Sequence, residues 1–321
     1  MPPRPIRSCR CVTSTPCYAP PFHICSRTGL SCHICTGTGL QAVVSALTAG
    51  PVAPADEIGR LNVTRIMQTC RMDGTLLKPS MPAFQLDSTF AAVLSGRGLD
   101  TFLGIESVWG TTMAARNADG APAPVHHLIL FANISAAGYD VSAGELRAIE
   151  AAHALELAPR AAAAAAQAAE SISYVAREYF SGALRAVSDA APLHVSHAAQ
   201  RPPGCAHGGY RLEYYCVAFE LWSVAPLPVG GSWLMLGETD KYVGVSGQRF
   251  QNFTSEPARG AFRTAVVGTQ GEVVTVAVLD CRQAGACTRA VLPELARVRC
   301  VLPVGGRAVL RCDETCDCGA W

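Results

Sequence analysis

No apolar run in the sequence approaches the roughly 20 residues that a transmembrane helix requires. The most hydrophobic continuous run, Leu128–Ala132, has only the length of a β-strand. We therefore expect no membrane span. The first 40 residues also lack a continuous apolar stretch of signal-peptide length, so a secretory leader is not visible there.

An excess of charge of either sign is also missing. The chain of 321 residues has 26 Lys and Arg against 25 Asp and Glu, a net charge of +1. Proteins that coat nucleic acids concentrate cations on one face, whereas the basic residues here are spread among acidic ones. We therefore expect no nucleic-acid partner. A hydrophobic fraction of 50% excludes disorder of the whole chain.

Acidic residues are absent before Asp56. Residues 1–40 are rich in Arg, Ser, Pro and Cys, and we interpret them as a leader that is disordered or belongs to a mispredicted gene start. An organellar transit peptide is the alternative, although Pro opposes the amphipathic helix of such peptides. Cys32 and Cys35 have zinc-knuckle spacing, but no second clean pair follows them, so we predict no metal site and no cofactor.

The cysteines cluster at the two ends of the sequence. Six of the 15 fall within residues 9–35 and six within 281–318. This distribution predicts disulfide clusters, and on one interpretation the last six pair with one another in a disulfide-rich secreted protein. Together with the N-glycosylation sequons at Asn62, Asn133 and Asn252, it favours a secreted or lumenal glycoprotein.

Residues 41–80 read as a strand, a loop and a helix. The apolar run Gln41–Gly50 predicts a strand that Pro51 ends. Asp56 stands before a periodic stretch and predicts a helix N-cap. Asp73-Gly74 predicts a turn. Such a unit is typical of an α/β barrel or sheet.

Residues 81–321 read as mainly β. Short runs rich in β-branched and aromatic residues predict an antiparallel β-sandwich. The predicted strands are 125–132, 212–224, 232–237, 242–245, 261–267 and 272–279. An alanine-rich stretch at about 144–180, with Pro159 near its middle, predicts a helical insertion.

Two motifs give the sequence a family resemblance. The first, within Leu47–Phe90, combines GPV at 50–52, Asp56, Gly59, DG at 73–74, LKP at 77–79, Pro82, Asp87 and Phe90. The second, about 160 residues later, is WLMLGE at 233–238 followed by KYVGVSGQRF at 241–250. Together they resemble the barrel end and the C-terminal β-sandwich of glycoside hydrolases of the α-galactosidase and raffinose-synthase clan, above all its poorly characterised eukaryotic members.

The resemblance implies that residues 41–80 are the end of a TIM-type barrel and that residues 81–321 are the C-terminal sandwich. In this clan the two catalytic carboxylates lie on central barrel strands, about 5 Å apart. No acidic residue precedes Asp56, and at most one of eight strand–helix units fits before Lys78. We therefore expect a C-terminal fragment that is catalytically incomplete alone, with no catalytic residues of its own.

The resemblance also suggests where a carbohydrate would bind. Asp56 would line the rim of a substrate site, or would simply cap a helix. Trp233 and Tyr242, beside the charged Glu238, Asp240 and Lys241, would stack on a sugar face, or would be core residues at a strand end. The alternative function is a non-catalytic carbohydrate-binding or cell-surface interaction module, which an exposed tryptophan on a sandwich beginning near Pro82 would favour.

Overall fold

The computed structural model describes residues 9–10, 16–17, 36–52, 62–94, 107–117, 124–132, 134, 138–157, 173–196, 219–227, 231–283, 286–288 and 292–320. Most of the leader predicted at 1–40 lies outside these ranges. So do Asp56, the predicted start of its helix and the sequon at Asn133.

Helices are few and strands are many within these ranges. The helices are α1 (Thr36–Leu47), α2 (Val63–Met67), α3 (Asp87–Leu94) and α4 (Ala143–Leu157), with a 3₁₀ turn at Pro257–Arg259. The strands before residue 200 are β1 (Cys9–Arg10), β2 (Pro16–Cys17), β3 (Phe84–Gln85), β4 (Ser107–Met113), β5 (Arg116–Asn117), β6 (His126–Ala132), β7 (Tyr139–Val141), β8 (Tyr174–Glu178), β9 (Leu184–Val187) and β10 (Leu193–Val195). The later strands are β11 (Phe219–Pro226), β12 (Trp233–Glu238), β13 (Phe250–Glu256), β14 (Ala261–Val267), β15 (Val273–Asp280), β16 (Ala296–Val301), β17 (Arg307–Cys312) and β18 (Cys316–Ala320).

The prediction of a strand at 41–50 is wrong, because these residues belong mostly to helix α1. Val43 and Leu47 are fully or almost fully buried, and Leu40 packs against the same hydrophobic cluster. Spacings of three and four residues put these side chains on one helix face. The helix ends before Ala49, whose φ of 55° lies in the left-handed region, and Gly50-Pro51 follows.

The insertion predicted at about 144–180 is only partly helical. Helix α4 confirms its first part. Residues 158–172 lie outside the described residues, and Tyr174–Glu178 forms strand β8, in which all five residues are buried. Val175 in particular packs between sheets, and burial on both faces of a strand overrides the helical propensity of the surrounding alanines.

The largest sheet has six strands in the order β3-β4-β6-β11-β8-β9, and every neighbouring pair is antiparallel. Along β6, Leu128 and Leu130 belong to one hydrophobic cluster, whereas Ile129 and Phe131 belong to another. The second cluster also contains residues of α4, β7 and β10, so these elements cover one face of the sheet.

The other face shares its cluster with α1 and the C-terminal strands. Those strands form two further sheets, β12-β15-β16 and β18-β17-β14-β13-β5. The pairing of β5 with β13 is parallel, and the rest are antiparallel. The mainly β, antiparallel character predicted for residues 81–321 is therefore confirmed.

Most predicted strands are present near their expected bounds. Strands β6, β12, β14 and β15 match predictions, and β11 covers the described part of 212–224. The run 242–245 is different: it is a series of bends, although Tyr242, Val243 and Val245 are buried. Its apolar residues fill the core from a loop. Because buried loops and strands can share the same β-branched and aromatic residues, β-propensity alone does not separate them.

The last six cysteines pair with one another, as one interpretation of the sequence predicts. Disulfides join Cys281 to Cys287, Cys300 to Cys318 and Cys312 to Cys316. The Cys300–Cys318 bond connects β16 to β18 and so ties the two C-terminal sheets together. Across the described part of the chain, no helix has both the length and the apolar character that crossing a bilayer demands.

Candidate functional site

The two motifs that carry the family resemblance contact each other directly. Residues 67–78 of the first motif lie against residues 238–250 of the second, and we call this contact the junction. In residues 67–78 the chain reverses at Asp73-Gly74, where Gly74 has a φ of 82°. The amide of Thr75 donates to Asp73 Oδ1 at 3.0 Å, which confirms the predicted turn.

The second side of the junction is a loop that closes on itself. Gly237 has a φ of 92°, and a Cβ there would lie 2.5 Å from the carbonyl oxygen of Gly244. The amide of Glu238 donates to that same oxygen at 2.8 Å. A side chain at 237 would be excluded by both the backbone angle and this close approach.

Lys241 and Tyr242 hold the start of the first motif segment. Lys241 Nζ donates to the carbonyl oxygen of Met67 at 2.6 Å. The amide of Tyr242 donates to the carbonyl of Gln68 at 3.0 Å, and the Tyr242 hydroxyl donates to Gln68 Oε1 at 2.8 Å. Three hydrogen bonds thus join Lys241 and Tyr242 in the second motif to Met67 and Gln68 in the first.

Further hydrogen bonds hold the rest of the segment. Ser246 Oγ donates to the carbonyl of Lys78 at 3.0 Å, and Arg71 Nη1 donates to the carbonyl of Gln248 at 2.8 Å. Most partners are backbone carbonyls. The junction therefore fixes the path of residues 67–78, not only their side chains.

A buried ionic cluster lies behind the junction. Arg249 Nε and Nη2 donate to the two carboxylate oxygens of Glu238 at 2.9 and 3.3 Å, and Nη2 also donates to Glu272 Oε1 at 2.6 Å. Glu272 accepts from the amide of Met72 at 3.2 Å, which connects the cluster to the first motif. Paired and hydrogen-bonded charges are the form in which ions are tolerated in a core.

The two carboxylates of the cluster differ in their affinity for protons. Burial raises the pKa of Glu238 to about 7, against the opposing effect of Arg249. Burial also acts to raise the pKa of Glu272, but hydrogen bonds from Arg249 and from the amide of Thr269 outweigh it and lower that pKa. Only one of the two carboxylates therefore gives up its proton easily.

Glu238 and Glu272 do not form the carboxylate pair of a glycosidase. A retaining mechanism requires both carboxylates to face the anomeric carbon across an open site. Here the guanidinium of Arg249, which is fully buried, contacts both carboxylates, and neither glutamate is more than 7% exposed. The arrangement fixes the backbone and cannot admit a sugar between the two groups.

The structure separates the predicted sugar-binding residues. Asp56 lies outside the described residues. Tyr242 is 3% exposed and its ring contacts Tyr179, so the prediction that it stacks on a sugar is corrected: burial in the core leaves no face free. Trp233 is half-buried, its indole N–H donates to the carbonyl of Asp313 at 2.6 Å, and Arg282 lies 4.8 Å from its ring centre. Arg282 therefore covers one face of the ring.

Sequence reasoning missed an exposed tryptophan on β4. Trp109 is 38% exposed and borders a cavity of about 240 Å³. Helix α1 supplies Leu40, Val44 and Leu47 to the cavity wall, and Ser107 contributes a hydroxyl. The strand Ser107–Met113 does not alternate between apolar and polar residues, so no sequence pattern distinguishes Trp109 from a core tryptophan.

No protein-family model matches the chain. No curated protein matches it either. The interpretation of the junction therefore rests on the geometry above and on the resemblance of the two motifs.

Proposed function

We propose that this chain is the C-terminal, carbohydrate-associated part of a glycoside hydrolase-like protein, and that by itself it binds α-linked galactosyl or related carbohydrates without hydrolysing them. The junction is the observation that carries this proposal. The resemblance requires the barrel-end motif and the sandwich motif to belong to one unit, and residues 67–78 contact residues 238–250 through five hydrogen bonds.

In this proposal the six-stranded sheet and the C-terminal sheets are the two layers of the clan's β-sandwich. The segment ending at Pro79 is then the chain that a preceding barrel would deliver to the sandwich. The barrel-end assignment of residues 41–80 depends on the motifs alone, because the predicted strand is helix α1. A rigid junction would keep barrel and sandwich in one orientation.

We expect no hydrolysis because the carboxylates of Glu238 and Glu272 are buried and paired. Glu238 and Glu272 both pair with the buried Arg249, and that site is closed to substrate. A hydrolysis assay of the full chain with aryl α-galactosides and raffinose-type oligosaccharides tests this point. We expect no turnover, and turnover that Asp56→Asn abolishes would overturn the proposal.

We also propose a secreted or lumenal location, with an organellar location as the alternative. Three disulfides near the C-terminus support an oxidising compartment, because thiols in the cytosol are kept reduced. Peptide mapping of the protein purified from its source under non-reducing conditions tests the location. Free thiols at Cys300 and Cys318 would contradict it.

A second candidate function is an independent carbohydrate-binding module, which Trp109 favours. An exposed tryptophan offers an apolar face on which sugar C–H groups pack, and the hydroxyls of Ser107 and Thr48 line the same cavity. Titration of galactosyl oligosaccharides against Trp109→Ala and Trp233→Phe tests this site. Loss of binding only in Trp109→Ala is expected, and equal binding by both variants would contradict it.

A further inference from the structure

Arg177, on strand β8, is a buried cation without a counter-charge in contact. It is 8% exposed, and its Nε is buried without a hydrogen-bond partner. Across the described residues, no carboxylate forms an ion pair with its guanidinium. An unpaired charge in a protein interior carries a large desolvation cost, so a partner for Arg177 is expected.

A small cavity lies beside this guanidinium. It measures about 10 Å³, the space of one water-sized body, and is lined by Arg177, Ser223, Glu238, Lys241, Tyr179 and Tyr242 among others. Ser223 on β11 is the cross-strand neighbour of Arg177, and its Oγ is also buried without a partner. Two hydrogen-bond donors without an acceptor, Arg177 Nε and Ser223 Oγ, therefore belong to residues that line the same cavity.

We propose that this cavity binds a single monovalent inorganic anion of the size of chloride, held by Arg177 Nε and Ser223 Oγ. The anion supplies the charge that Arg177 lacks and accepts both free hydrogen bonds. No step of the proposed carbohydrate function requires it, and the two proposals stand or fall separately.

The other charged groups that line the cavity are already compensated. Lys241 donates to the carbonyl of Met67 and lies 3.4 Å from a carboxylate oxygen of Asp240. Glu238 is bound by both donors of Arg249. The charge left over is the single positive charge of Arg177, which matches a monovalent anion.

Two charged neighbours, Glu178 on β8 itself and Arg297 on β16, modify this balance in opposite directions. Glu178 follows Arg177 in the strand, and its Oε2 accepts from Ser181 Oγ at 2.8 Å. Burial lowers the pKa of the Arg177 guanidinium, and the positive charge of Arg297 on β16 lowers it further. A second cation near the first adds positive potential and favours an anion.

A water molecule is the alternative occupant. Water accepts both hydrogen bonds but leaves the charge of Arg177 uncompensated in a low-dielectric interior. The two occupants differ in their response to salt identity. Chloride stabilises the folded protein by mass action, whereas a water site does not respond to the replacement of one anion by another.

Thermal unfolding of the full chain at constant ionic strength distinguishes them. Replacing gluconate, which is too large for the cavity, with chloride is expected to raise Tm by about 4 °C or more. Arg177→Leu is expected to lose this response, while Arg259→Leu, which changes an exposed arginine, keeps it. Equal Tm values in the two salts, or a chloride response that persists in Arg177→Leu, would overturn the proposal.

A second experiment does not depend on the folding of Arg177→Leu. In crystals of the protein soaked in bromide, we expect an anomalous peak within hydrogen-bonding distance of Arg177 Nε and Ser223 Oγ.

Ser223→Ala is expected to raise the chloride concentration that gives half of the thermal shift by about tenfold, the effect of one hydrogen bond to a charged group. A cavity that contains water and no bromide would contradict the site.

Discussion

Arg249 donates hydrogen bonds from Nε and Nη2 to both carboxylate oxygens of Glu238, at 2.9 and 3.3 Å, in a part of the core that excludes solvent. The same guanidinium binds Glu272, which accepts from the amide of Met72. Through this contact, the buried charge cluster reaches residues 67–78, the segment that the sequence motifs assign to the end of a barrel.

Arg249→Met should destabilise the protein strongly. Removing the guanidinium leaves Glu238 and Glu272 buried without their cation, and breaking such a cluster costs about 3–5 kcal/mol. The free energy of unfolding in urea measures this loss. Arg259→Met is the matched control, because Arg259 is exposed and its pair with Glu256 should contribute about 0–1 kcal/mol. Losses of similar size in the two variants would contradict the role of the cluster.

The pKa of Glu238 gives the protein a pH-dependent stability. In the folded protein this pKa is raised from 4.5 to about 7, so between these values the folded state keeps a proton that the unfolded state releases. The contribution of Glu238 therefore falls as the pH rises from 4.5 to 7, by about 3 kcal/mol at most.

Glu238→Gln should remove this dependence, because glutamine cannot titrate. We expect urea midpoints of the variant to fall less than those of the unchanged protein between pH 4.5 and 7. The control is Glu256→Gln, which changes an exposed glutamate. Parallel profiles for Glu238→Gln and the unchanged protein would show that the burial of Glu238 does not raise its pKa.

The two lysines of the chain provide a matched test of the junction. Lys241 is buried and donates to the carbonyl of Met67. Lys241→Met should cost about 1–3 kcal/mol, since hydrogen bonds from charged groups are strong and the carbonyl would lose its donor. Hydrogen exchange at the amides of residues 68–71 should become faster.

Lys78→Met is the control for this change. The side chain of Lys78 is half-buried, and its contribution to the junction is the backbone carbonyl that accepts from Ser246, which the substitution keeps. We expect little change in stability or exchange. Equal effects of the two substitutions would mean that Lys241 acts only through packing.

The Cys300–Cys318 and Cys281–Cys287 disulfides should contribute unequally to the free energy of unfolding. The Cys300–Cys318 bond spans 18 residues and the Cys281–Cys287 bond spans 6. Loop-closure entropy predicts losses of about 3 and about 2 kcal/mol for the corresponding double alanine variants. Unfolding under identical non-reducing conditions measures both. A larger loss for the shorter loop would contradict the entropic explanation.

The strands were predictable because β-branched and aromatic runs such as Ala261–Val267 fill both faces of a sheet. Helix α1 was mistaken for a strand because the run Gln41–Gly50 is apolar without a break, and only the burial of Val43 and Leu47 reveals its helical period. The turn at Asp73-Gly74 followed from local chemistry, since glycine adopts the positive φ that the turn requires.

The candidate site could not be predicted in the same way. Glu238, Arg249 and Glu272 have no regular spacing, because three different strands or loops bring them together. The same holds for Arg177 and Ser223, which meet only through the pairing of β8 with β11. The motif around Tyr242 predicted a ring that stacks on a sugar, but the burial of Tyr242 assigns this ring to the core.

Isothermal titration of raffinose into the full chain tests the central claim most directly, because the same trace records binding and hydrolysis. We predict heats that decrease to saturation, with no continuing heat from turnover after each injection. A continuing reaction heat that disappears in Asp56→Asn, or the absence of any binding heat with raffinose and other α-galactosyl oligosaccharides, would contradict the account.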